Sequence, residues 1–281
     1  MRYVRLIAVI VAAVTATAGP SAPSHFDKKV WWPVSGTVIL AGGGFKQKAA
    51  NDLVDRLIAS AGGPDAQIVV IPTASVTIPT LPATGPQPAN IDAIRHHLES
   101  RGAKHITFLH TLDRKVADSD SFVKALRSAN GVFITGGASR ILDQTYHGTL
   151  VEKELKALLK RGGVIAGDSA GAITIGCFWI DYVPKEDAYG RSTDGLCLLP
   201  DVTVTPHVQN VDGDERLQEV FKYIAGHPAI GINIQESTFL ILHGGVAEVG
   251  GTGGVSIFNP TKDKTKPYIK LSSGQKLDLD K

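Results

Sequence analysis

An α/β fold, a three-layer sandwich around a mostly parallel central sheet, is predicted by three observations. Short apolar runs without polar interruption recur along the chain, as expected of strands buried on both faces. Amphipathic segments of helical spacing lie between them. Glycine clusters fall at the ends of several runs, where parallel sheets gather their sites.

In chain order, Thr37 to Ala41 reads as an apolar strand ending at Gly42-Gly43-Gly44. Ala49 to Ala61 has helical spacing, with Leu53, Val54, Leu57 and Ile58 on one side. Gln67 to Pro72 is a second strand. A proline-rich loop runs from Ile78 to Pro88, and Ile91 to Ser100 is the next helix. His105 to Leu109, Ser119 to Ala129 and Gly131 to Thr135 continue as strand, helix and strand, the last ending at Gly136-Gly137. Gly163 to Ala166 is a buried strand, and Ala172 to Gly176 can begin a helix packed on it. Asp201 to His207 alternates like a strand. Ala229 to Thr238 is another strand-like run, and Gly244 to Gly254 and Asp278 to Lys281 read as a terminal hairpin and tail.

The N-terminus has a different logic. Arg2 and Arg5 precede an apolar run from Leu6 to Ala18 that ends in Ala16-Thr17-Ala18, the pattern of a secretory signal peptide. The run is too short for a permanent membrane helix, and a mitochondrial transit peptide would need more Arg and Ser. Residues 1–18 are therefore expected to be cleaved, 19–32 to form an irregular arm, and 33–281 to form one α/β hydrolytic domain. The expected location is secreted or periplasmic, with no integral membrane segment after cleavage. Cleavage takes Lys plus Arg from 29 to 27, level with the 27 Asp plus Glu. Without a basic surplus, nucleic acid and acidic lipid are not expected partners. Apolar residues make up 43 %, enough for a substantial core. Cys177 and Cys197 would meet an oxidising compartment, but spacing alone leaves a bridge and two buried thiols equally open. Without a clustered histidine set they make no zinc pattern, and no metal is expected.

The chemistry concentrates at Gly167-Asp168-Ser169-Ala170-Gly171. The G-x-S-x-G spacing between strand and helix describes a turn that forces the serine into a strained, exposed position. A Cβ at Gly167 or Gly171 would crowd it. Gly136-Gly137 lets backbone approach a ligand, and an N–H there could pair with that of Ala170 as an oxyanion hole. Gly42 to Gly44 lacks the spacing of a phosphate loop and reads instead as close backbone packing near a site. Ser169, His207 and Glu236 each end a probable strand, so one sheet edge could collect a hydroxyl, an imidazole and a carboxylate. On residues alone, His207 competes as the base with His147, His227 and His243.

The chain resembles the serine peptidases that include cyanophycinase and dipeptidase E. The matching pieces are Pro72-Thr73-Ala74-Ser75, Thr135-Gly136-Gly137, Gly148-Thr149 and Gly-x-Ser-Ala-Gly-Ala at 167–172. They continue with Gly-Leu-x-Leu-Leu-Pro at 195–200, a strand-end histidine, and Gly231-Ile232-x-Ile234-x-Glu236-x-Thr238. The resemblance implies a flavodoxin-like fold of the class I glutamine amidotransferase type. It also implies Ser169 as nucleophile, His207 as base, Glu236 as its orienting partner, and Gly137 and Ala170 as oxyanion donors. Gly136, Ser139 and Arg216 are the implied substrate contacts. The substrate would be a peptide or small amide, no cofactor would be needed, and a homodimer stays an open expectation.

The chain departs from the cyanophycinase pattern at several places. Ala138-Ser139 stands where Asp-Gln is usual, and Thr205-Pro206 where Asp-Gln precedes the histidine. Val211 and Gly213 stand where two arginines are expected, while Arg216 matches a third. These positions bear on a β-aspartyl-arginine substrate, each polar contact being worth ~1–3 kcal/mol of discrimination. Two rivals follow: an α/β-hydrolase esterase, whose acid would precede His227 or His243, and a catalytically silent binding protein on the same fold. A cysteine amidotransferase does not fit, because the elbow holds serine.

Overall fold

The computed structural model describes residues 32–33, 35–75, 91–183, 188–192, 195–209, 211, 230–259 and 268–280. The signal peptide, nearly all of the arm, the proline-rich loop, Gly213, Arg216 and His227 lie outside the described residues.

β1 (Thr37–Ala41) is buried along its whole length. α1 (Gln47–Ser60) turns Ala49, Leu53, Val54, Leu57 and Ile58 inward, as a 3.6-residue period requires. β2 (Gln67–Ile71), a 3-10 turn at Thr73–Ser75, α2 (Ile91–Ser100) and β3 (His105–Phe108) follow. α3 (Arg114–Ala117) is capped by Asp113, whose carboxylate accepts the Lys115 N–H. Next come α4 (Asp120–Ser128), β4 (Gly131–Ile134), α5 (Ser139–Tyr146) and α6 (Leu150–Lys160). β5 (Val164–Asp168) leads into α7 (Ala170–Ile175). The rest of the described chain is strand: β6 (Trp179–Val183), β7 (Ala188–Ser192), β8 (Val202–Val208), β9 (Ile230–Gln235) and β10 (Thr238–His243). It closes with β11 (Val246–Gly251), β12 (Gly254–Phe258), β13 (Tyr268–Ser272) and β14 (Lys276–Asp278).

The main sheet has eight strands in the order β14-β11-β10-β1-β5-β4-β2-β3. From β1 to β3 every pairing is parallel, and β10, β11 and β14 extend it antiparallel. Side chains of β1 alternate across it, Val38 and Leu40 entering one core cluster and Ile39 and Ala41 the other. The Ile39 face meets Leu53 and Leu57 of α1 and Leu98 of α2. The Val38 face meets Leu126, Leu142, Leu155 and Ile175 from α4 to α7. Val202, Val204, Ile232 and Ile234 join that second cluster, so a four-stranded sheet, β13-β12-β9-β8, shares the layer of those helices. The predicted three-layer α/β sandwich is the observed one.

Several expectations need correction. The hairpin expected at Gly244 to Gly254 is present, β10 and β11 pairing antiparallel across Gly244-Gly245, and Asp278 ends a strand on β11 rather than starting a tail. The hairpin is not peripheral, however: β10 lies against β1 in the middle of the main sheet, pairing Thr37 with His243. Such a pairing spans some two hundred residues and leaves no local mark. The run expected to continue to Thr238 breaks in a turn at Glu236 and Ser237, where Ser237 takes φ 54°. Nor does one sheet edge collect the candidate residues, since Ser169 follows β5 of the main sheet, while His207 lies in β8 of the smaller sheet and Glu236 in the turn that follows its β9. Cys177 and Cys197, left open above, form a disulfide. It fastens the end of α7 to a segment whose Leu196 and Leu198 N–H groups bond the carbonyls of Thr174 and Ile175.

Candidate active site

The elbow follows from a strand that must stop. Val164 to Gly167 are buried, and the chain then reverses into α7 through Ser169 at φ 50°, ψ −112°. A Cβ on Gly167 would come within 2.6 Å of the Gly171 backbone, and one on Gly171 would strike the Ile134 carbonyl. Only glycine fits at both places. The Ser169 N–H donates to Ala41 O at 3.0 Å, anchoring the elbow to the end of β1.

His207 is delivered by a bulge. Thr205 pairs with Asn233 and Val208 with Gln235, so β8 carries one residue more than β9 across that interval. Pro206, which has no N–H to give a ladder, sits in the irregular step, and His207 takes φ 58°. Its Nε2 lies 2.7 Å from Ser169 Oγ. Its Nδ1 lies 2.9 Å from Glu236 Oε1, in the turn just past the neighbouring strand β9. The imidazole and carboxylate are partly open to solvent, their side chains 38 % and 60 % exposed.

The glycine run Gly42-Gly43-Gly44 joins these segments. Gly42 O accepts the His207 N–H at 3.1 Å, and Gly43 O accepts the Ser237 N–H at 2.8 Å. Ser237 Oγ donates to Gly44 O and accepts the Lys46 N–H, both at 2.9 Å. A Cβ on Gly43 would occupy the imidazole's place, and one on Gly44 would come within 2.5 Å of the Glu236 carboxyl carbon. With φ of 76° and 59° at these two residues, backbone is laid directly under the ring and the carboxylate. This is the close packing expected of the run.

Gly136 and Gly137 approach from β4. A Cβ on Gly136 would stand 3.0 Å from Ser169 Cβ, while Gly137, at φ 140°, is pressed against the Ala74 carbonyl. Ala138 donates its N–H to that carbonyl at 2.9 Å. Underneath, Thr73 Oγ1 bonds Tyr146 Oη at 2.6 Å and His110 Nδ1 at 3.0 Å, tying the 3-10 turn to the ends of α5 and β3. Ser139, an implied substrate contact, is fully buried as the first residue of α5, its hydroxyl unpartnered. A cleft of about 430 Å³ opens beside His207, Val208, Gln235, Glu236 and Gly253. Of the competing histidines, His147 is taken up by Gly195 O and Glu152. His243 bonds Thr37 Oγ1 and Gly36 O at the start of β1, the far end of the strand from the elbow.

The family model of peptidase family S51 matches residues 37–250. The chain belongs to peptidase family S51. Among its relatives, the cyanophycinase of Synechococcus elongatus is 27 % identical over 252 residues, covering 87 % of this chain and 74 % of its own. That of a Nostoc species is 29 % identical over 235 residues, 80 % of this chain and 74 % of its own. A solved peptidase from an acI-B1 actinobacterium matches with a TM-score of 0.64 over 88 % of this chain and 98 % of that one. At 22 % identity that match speaks to the shared flavodoxin-like fold. The S51 chain is thus a hydrolase of the serine-peptidase type.

One ionisable group of this S51 site was not singled out from the sequence. Burial pushes the Asp168 carboxyl up from its ordinary value to about 6. The charge of His207 and the N–H groups of Gly43 and Ser169 oppose the shift without cancelling it. Its Oδ1 is buried and unpartnered. The available signal was a carboxylate closing an otherwise apolar strand, one residue before the serine. Burial also pushes Tyr146 up to about 12 and holds His110 below its ordinary value, so both are neutral hydrogen-bonding groups at neutral pH. Among the described residues no group of three or more His, Cys, Asp or Glu could hold a metal ion.

Proposed function

We propose that the chain is an exported, cyanophycinase-like serine peptidase in which Ser169, His207 and Glu236 carry out amide hydrolysis. The observation that carries this is the continuous row of two hydrogen bonds, 2.7 Å from Ser169 to His207 and 2.9 Å from His207 to Glu236. With the Nδ1 proton held by Glu236, Nε2 is left to accept. Ser169 Oγ attacks the amide carbonyl while its proton passes to Nε2. The N–H groups of Gly137 and Ala170 receive the oxyanion, and the imidazolium then protonates the leaving amine as the C–N bond breaks. Water attacks the acyl-enzyme by the same proton route in reverse.

The order Ser169, His207, Glu236 also separates the chain from α/β-hydrolases, whose acid precedes the histidine. The proposed substrate is a small peptide or a β-aspartyl-linked amide. The named relatives are cyanophycinases, but Ser139 is buried, so recognition differs from the implied pattern at that position. Incubating residues 19–281 and its Ser169→Ala variant with a peptide library containing β-aspartyl dipeptides tests the proposal. New amino termini are expected only with the unmodified protein. Equal hydrolysis by both would overturn it.

A further inference from the structure

Asp168 occupies the variable position of the elbow, with its side chain turned toward the glycine run and the base. A Cβ on Gly136 would come within 3.5 Å of its Oδ2. Asp168 pairs with Ala41, two residues before Gly43, and the Gly43 N–H acts on this carboxyl to favour its charged form. Gly43 is also the residue on which the His207 ring rests, and its carbonyl holds Ser237, the neighbour of Glu236. A carboxylate that holds Gly43 therefore holds the backbone shelf beneath the imidazole.

The hydrolysis proposed above uses His207 and Glu236 and leaves Asp168 without a task. Yet a buried carboxylate with an unpartnered oxygen is costly to keep unless something compensates for it. During acylation the imidazole becomes a cation, and a negative charge held in a poorly solvated place close to it is worth more than one in water. Glu236, 60 % exposed, is screened by solvent more fully than Asp168, which is half-buried with its Oδ1 shielded.

We propose that Asp168 is a positioning residue for this hydrolysis: its carboxylate fixes the Gly43 shelf under His207 and keeps a second negative charge beside the ring. The inference rests on the assignment of Ser169 and His207 made above. The groups facing Asp168 are the Ser169 N–H from the elbow, the Gly43 N–H, the Gly136 backbone from the end of β4, and His207 from β8. Of these, His207 is the titratable partner.

The test is the rate at which a fluorophosphonate labels Ser169, followed from about pH 5 to about pH 9 in the unmodified protein and in Asp168→Asn. The asparagine keeps an acceptor for Gly43 and removes the charge. Labelling at the plateau is expected to fall about tenfold, the factor carried by one modest electrostatic contact. The acidic limb is expected to move to lower pH, because protonating the ring becomes harder without the neighbouring charge. Asp168→Ser, smaller and also uncharged, should move the limb the same way, which guards against a single variant that fails to fold. A limb left at its original position in both variants overturns the proposal, whatever the plateau does, because a merely structural role would lower the rate without moving the limb. An unmodified protein that takes no label at Ser169 overturns the hydrolase assignment itself, and this inference with it.

Discussion

Gly43 lies directly beneath His207: the place a side chain would take on its Cα is filled by the imidazole. With φ 76° the residue is also in the left-handed region. The middle of the glycine run is therefore constrained by strain and by a neighbour at once.

Gly43→Ala is expected to displace the ring from Ser169 and to add about 1–3 kcal/mol of backbone strain. Fluorophosphonate labelling should fall to background while the far-ultraviolet circular dichroism of the folded state persists. Full labelling in a folded variant would show that the ring does not depend on the shelf.

Glu236→Gln separates orientation from stability. The side chain is 60 % exposed, so unfolding free energy should change by no more than about 0.5 kcal/mol. The glutamine can no longer stabilise an imidazolium, and kcat/KM should drop by about 10²–10⁴, the range seen when an orienting carboxylate is made neutral. Urea unfolding and steady-state rates on the same preparation measure both.

Asp168→Asn is expected to stabilise the fold in a pH-dependent way. Its carboxyl titrates near 6 when folded and near 3.8 when not. A raised acid pKa means the fold disfavours the charged form, so the penalty is absent below the lower value and full above the higher one. Removing the charge should therefore raise stability by up to about 3 kcal/mol above pH 6, the gain vanishing towards pH 4. Unfolding curves at three pH values check the sign, and a gain that grows on acidification would contradict it.

The Cys177–Cys197 bridge closes a separation of 20 residues, so replacing both with serine should cost about 3 kcal/mol. Because the bridge fastens the end of α7 behind the elbow, melting temperature should fall more than the labelling rate does. Differential scanning calorimetry with and without reductant is the check.

Much of this organisation was legible locally. β1, β2, β4 and β5 are buried on both faces and so appear as bare apolar runs such as Thr37 to Ala41. The elbow was legible because Gly167 and Gly171 have no alternative there. What stayed hidden depends on partners far away in sequence. Thr238 to His243 finds β1, and Glu236 hangs from a turn that has neither glycine nor proline to announce it. Ser139 was expected to contact substrate because nothing in its neighbourhood tells that the first residue of α5 is turned into the interior. Asp168 passed as filler in a motif, since its burial is created by the glycine run and by a histidine thirty-nine residues later.

The central claim is that Ser169 is a nucleophile activated by His207, and covalent labelling reaches it most directly. Peptide mapping after fluorophosphonate treatment is expected to find one adduct, on Ser169, and to find none in the His207→Ala protein. An adduct elsewhere, or equal labelling of Ser169 without the imidazole, would contradict the account.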